Sequence, residues 1–101
     1  MPNTQNDEGS WLGEALADLR GIKDHIGRDN PAAARRVVKA IKDGVDMLKD
    51  HPAIGRPGRL VGTRELVVRD YPFIVAYRQA ESTIDILAVV HTSRRWPNQL
   101  P

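Results

Sequence analysis

Apolar residues are spaced as on a helix in the first half of the chain and packed into short, dense runs in the second. Leu12, Leu16, Leu19, Ile22 and Ile26 recur three or four apart, with Asp18, Lys23 and Asp24 off that stripe, so residues 11–27 are predicted to form an amphipathic helix. Ser10 is the nearest residue able to cap its start, and Gly27 suits its end. After a short link, Asn30 and Pro31 form an N-cap and first helical position, and Val37, Val38, Ile41, Val45 and Leu48 continue the same period. That second helix should stop near Asp50, because the residue before Pro52 is biased away from helical geometry.

Beyond the helices the period changes. Residues 65–68, 73–77 and 84–90 are rich in Val, Ile and aromatic side chains and are bounded by turn formers, which predicts three strands. The polar stretch 79–82 fits a hairpin turn. Asp70-Tyr71-Pro72 is a second break, since Pro72 has no backbone N–H to donate. The run IDILAVV is apolar almost throughout, as expected of a strand buried on both faces and therefore placed centrally. Two helices joined by a short link make an antiparallel hairpin, and a meander needs one face covered. The expected architecture is α+β: the hairpin packed on a three-stranded, possibly four-stranded, antiparallel sheet.

Residues 1–10 are polar and acidic and are expected to be loosely attached, leaving 11–101 as one domain. A chain of 101 residues has room for one modest core, the kind often completed by a partner. It has no cysteine, which excludes disulfides and thiolate metal sites, and no run apolar enough to cross a bilayer; a cytoplasmic protein is the simple expectation. The net charge is only +2, but residues 52–101 hold seven arginines, four acids and no lysine. Arginine favours bidentate contacts with phosphates and carboxylates, so an anionic partner suits that half.

No P-loop, dinucleotide fingerprint or zinc-protease motif is present, and no cofactor or metal is expected. Arg56, Arg59, Arg64, Arg78, Arg94 and Arg95 come from a Pro/Gly-rich loop at 51–63, the strand ends and the tail. A meander can gather such places into one guanidinium cluster; the plainer reading is a solvated surface with local ion pairs. His91, at the end of the last strand, has the chemistry of a general acid or base, though a structural hydrogen bond is favoured because no partner base or nucleophile is evident. Trp96 either packs back on the domain or serves as a recognition anchor.

Five segments in series carry a resemblance: W-x-x-E-A-L-A-D-L at 11–19, NPAAA at 30–34, P-x-I-G-R at 52–56, GTREL followed by YPFIVAYR at 62–78, and His91-x-x-Arg94-x-Trp96-Pro97. Together they resemble the RelE/ParE superfamily of toxins, specifically its ParE-like branch, known as plasmid stabilisation proteins. The resemblance implies the toxin of a type II toxin–antitoxin system, with a cognate antitoxin as partner. ParE-like members inhibit DNA gyrase by protein contact, which here implies target contacts from Arg56, Arg59, Arg64, Arg78, Arg94, Arg95 and Trp96. RelE-like members instead cleave mRNA on the ribosome, and Arg78, His91 and Arg94 would then be catalytic. The position matching the RelE-like strand arginine is Ile74, inside an apolar run, and the accompanying lysines are missing, which favours the gyrase branch. An antitoxin tail would add a strand or lay a helix on an apolar groove at Leu12, Leu16, Leu19, Val38 and Val45. In place of the family's short apolar first strand stand Asp7, Glu8, Gly9 and Ser10, so that strand is expected to be absent or a poor edge, and an inactive copy is a further possibility.

Overall fold

The structure, a computed structural model, describes residues 10–93. The element order is β1 (Ser10–Trp11), α1 (Gly13–Gly27), α2 (Pro31–Asp50), β2 (Arg56–Pro57), β3 (Arg64–Val67), β4 (Phe73–Ala80) and β5 (Thr83–His91). The expected α+β architecture is present: both helices pack on one face of a sheet whose long strands, β3, β4 and β5, form an antiparallel meander. Each edge is extended by a two-residue strand. β1 adds parallel to β5, pairing Ser10 with Asp85 and Trp11 with Ile86, and β2 adds antiparallel to β3. The first strand is therefore present as a minimal edge, and the sheet begins inside the segment expected to be loose. The strand order is β1-β5-β4-β3-β2, so β4 holds the middle and β5 is interior beside it.

Both helices follow from their sequences. Asn30 caps α2, its Oδ1 accepting from the Ala33 N–H at 3.0 Å, with Pro31 at the first turn. Ala34, Val37, Ile41, Val45 and Leu48 form the buried stripe of α2. α1 differs from expectation in two respects. Its N-cap is Leu12, without a side-chain bond, because Ser10 already belongs to β1. Its buried line runs through Ala15 and Leu19, with Ile22 and Ile26 partly buried; Leu16 lies one position round the helix and is exposed.

The main core joins these stripes to Leu66, Val68, Phe73, Val75, Tyr77, Ile84, Ile86 and Val89. A smaller cluster of Ala76, Leu87 and Ala88, with Leu12 and Val90 against it, lies on the other face. β5 thus buries side chains on both faces, as its unbroken apolar run implied. The pairing skips between Ala76 and Tyr77, which face Ala88 and Ile86, leaving Leu87 as the extra residue of a β-bulge. The bulge puts Ile84, Ile86 and Val89 on one face despite their uneven spacing. Just beyond it, the Val89 N–H donates to Asp18 Oδ2 of α1 at 2.9 Å, tying helix to strand.

Candidate functional site

The sequence placed its candidate chemistry on the arginines and His91. The strand register decides which of these meet. Arg56 lies opposite Glu65, Arg64 opposite Tyr77, and Arg78 opposite Asp85, so Arg56, Arg64 and Arg78 gather at one end of the sheet. His91 pairs with Phe73 at the other end of the β4–β5 ladder. Arg78 lies five residue steps along the strand from Phe73, about 16 Å at 3.3 Å per residue. An odd number of steps also puts them on opposite faces: Phe73 faces the helices and Arg78 does not. Arg78 and His91, grouped with Arg94 in the ribonuclease alternative, therefore lie at opposite ends and on opposite faces of the β4–β5 ladder. Arg94, Arg95 and Trp96 lie outside the described residues.

His91, for which the sequence reading favoured a structural hydrogen bond, makes local contacts. Its ring stands edge-on to Phe73, centroids 5.3 Å apart. The Ser93 N–H donates to Nδ1 at 3.1 Å, and the Ser93 hydroxyl lies 2.7 Å from the same nitrogen. A backbone donor requires an unprotonated Nδ1, so the neutral ring carries its proton on Nε2.

The arginines at the other end are also engaged. Arg56 Nε and Nη2 donate to Glu65 Oε1 at 3.1 and 3.0 Å, and Glu65 is only 5% exposed. Arg64 Nη1 donates to the carbonyls of Gly55, at 2.8 Å, and Ala53, at 3.3 Å. Arg78 Nη2 pairs with Asp85 directly across the ladder at 3.0 Å. Arg59 has an interaction of its own. These guanidiniums brace the loop and the sheet end before any partner arrives.

The brace extends to a residue that the sequence reading did not single out. Tyr77 is wholly buried, and its hydroxyl accepts from the Gly55 N–H at 2.9 Å and donates to the Pro52 carbonyl at 2.8 Å. Gly55 is required there: a Cβ would sit 2.6 Å from the Tyr77 oxygen. Beyond β2 the chain turns tightly. The Gly58 N–H donates to the Thr63 carbonyl at 2.8 Å, Thr63 N–H to the Leu60 carbonyl at 3.1 Å, and Gly62 takes φ of 85°. Leu60-Val61-Gly62-Thr63 is thus a turn of the kind that needs a positive φ at its third residue. Among the described residues, no group of three or more acidic or imidazole side chains is placed to hold a metal.

Of the residues expected to receive an antitoxin, Leu19 and Val45 are core side chains. Val38 is partly buried against the same core, Leu12 packs on the smaller cluster, and Leu16 is exposed.

A family model described as ParE toxin of the type II toxin–antitoxin system parDE matches residues 10–96. The chain belongs to the ParE toxin family. Two relatives agree. The protein Y4kP of Sinorhizobium fredii, named as a toxin, is 46% identical over 90 residues, which are 89% of this chain and 93% of that one. Toxin RelE2 of Caulobacter vibrioides is 37% identical over 84 residues, 83% of this chain and 93% of that one. A solved chain of the chromosomal ParDE system from P. aeruginosa superposes with a TM-score of 0.75 at 29% identity, covering 86% of this ParE chain and 99% of the other. The resemblance read from the five sequence segments is therefore correct at the level of superfamily and branch. No helix among the described residues of this ParE is long and apolar enough to cross a membrane.

Proposed function

We propose that this ParE chain arrests bacterial growth by binding DNA gyrase in the cytoplasm and is neutralised by a cognate antitoxin. The observation that carries the choice of mechanism is the separation of Arg78 from His91 on opposite ends and faces of the β4–β5 ladder. Phosphodiester cleavage needs a charge-stabilising group and a proton-transfer group on the same few ångströms of substrate. The buried Ile74 between them supplies neither. Binding needs only a stable surface, and the braced end of the sheet, with Arg56, Arg59, Arg64 and Arg78, offers one. Arg94, Arg95 and Trp96 of the tail remain part of the proposed target surface. The partner antitoxin is drawn from the ParDE system in which the similar structure was solved. Its proposed seat is the helical hairpin, at exposed Leu16 and partly buried Val38.

The test is a pulse-label of DNA and protein synthesis after induction without antitoxin. DNA synthesis should stop first. If translation stops first, the protein-contact reading is wrong and a RelE-like ribonuclease takes its place.

A further inference from the structure

The β2–β3 hairpin presents an apolar tip with no use in the fold. Val61 is fully exposed and Leu60 41% exposed, and both lie at the apex of the Leu60–Thr63 turn. Turn apices ordinarily take polar residues, Gly or Pro, so a branched aliphatic pair here gains nothing from burial within the chain. A single exposed apolar residue requires no account. This pair differs because its support is fixed from several sides. The Tyr77 hydroxyl holds Gly55 and Pro52, Arg64 holds the carbonyls of Ala53 and Gly55, Arg56 holds Glu65, and Gly58 and Thr63 close the turn. A tip held this way loses little freedom on binding, the property that favours an anchor residue.

We infer that Leu60 and Val61 form the anchor by which this toxin docks on its protein target, entering an apolar pocket rimmed by carboxylates. The inference rests on the reading that the toxin acts by protein contact and assigns the centre of that contact surface. The chemistry of the partner follows from what surrounds the tip. Arg56 and Arg78, both partly exposed, lie on the same sheet end as the hairpin and supply a cationic rim about an apolar centre, the usual anatomy of a protein interface. Phosphate recognition fits less well, because the apex itself is apolar.

The experiment compares the full-length wild type with Val61→Asp and Val61→Leu. Each is assayed for inhibition of supercoiling by purified gyrase at low and moderate salt, for growth arrest on induction, and for thermal melting. Val61→Asp should weaken inhibition at least tenfold with melting unchanged, Val61→Leu should keep it, and the wild type should depend only shallowly on salt. Full inhibition by Val61→Asp overturns the inference and leaves the gyrase reading in place, and a steep salt dependence points to phosphate contact and also overturns it. If wild type does not inhibit gyrase, that reading fails and growth arrest decides: arrest lost only in Val61→Asp supports the anchor, and equal arrest by all three overturns it. A wild type that arrests nothing overturns both.

Discussion

Tyr77 stands in a run of five buried residues, Phe73 to Tyr77, yet its phenol is what fixes the loop before β2. Removing that oxygen leaves the Gly55 N–H and the Pro52 carbonyl without their partner in a buried setting. Tyr77→Phe should therefore destabilise the domain by about 1–3 kcal/mol, read as a lower denaturant midpoint. Gly55→Ala should be at least as damaging, because its methyl overlaps the phenol. The sequence shows a tyrosine in an apolar strand, but nothing local to Tyr77 identifies partners 22 and 25 residues away. The same holds for Arg56: its charge was legible and its engagement with the buried Glu65 was not. Arg56→Ala leaves that carboxylate unpaired, so any loss of toxicity should come with a lower melting temperature. Val61→Asp should leave melting unchanged, and this contrast separates a bracing residue from a docking one.

At the scale of elements, periodicity served well wherever one face is buried. The α2 span was legible because its cap, its proline and its apolar stripe all agree. α1 was legible in extent but not in orientation: Leu12 and Leu16 fit the helical period as well as Ala15 does, and only the tertiary packing chooses small Ala15 for the closest contact. The bulge at Leu87 was hidden for a different reason. An alternating strand would have betrayed a skipped position, whereas IDILAVV is apolar at nearly every position and stays so under any register. Asp18 belongs to this scale too, since one carboxylate joins α1 to the strand just after the bulge. Asp18→Ala should cost about 1–3 kcal/mol by orphaning the Val89 N–H, and hydrogen exchange at Val89 should quicken by more than at its neighbours.

For the whole molecule, composition and five short segments were enough for the architecture and the family, because the layer arrangement follows from which faces are apolar. The functional surface was harder to read. The arginines advertised an anionic partner, but the fold engages Arg56, Arg64 and Arg78 with its own carboxylates and carbonyls, and separates Arg78 from His91. If His91 is only a clasp for Ser93 and Phe73, then His91→Gln should retain growth arrest whenever the variant melts like wild type. Loss of arrest without loss of stability would restore a chemical role.

The parallel pairing of Ser10–Trp11 with β5 joins the beginning of the described chain to its last strand. A ribosome making this toxin therefore exposes both helices, β2, β3 and β4 before the strand that seats β1 has been translated. α1 also meets the sheet largely through β5, so its apolar side has no complete home until then. Folding must wait until β5 has been made, and chain closure over that span is slow. Nascent chains stalled before residue 83 should be cleaved readily by protease, and those stalled with residue 93 clear of the exit tunnel should resist. Such timing leaves an interval during synthesis in which the cell holds the polypeptide without its poison.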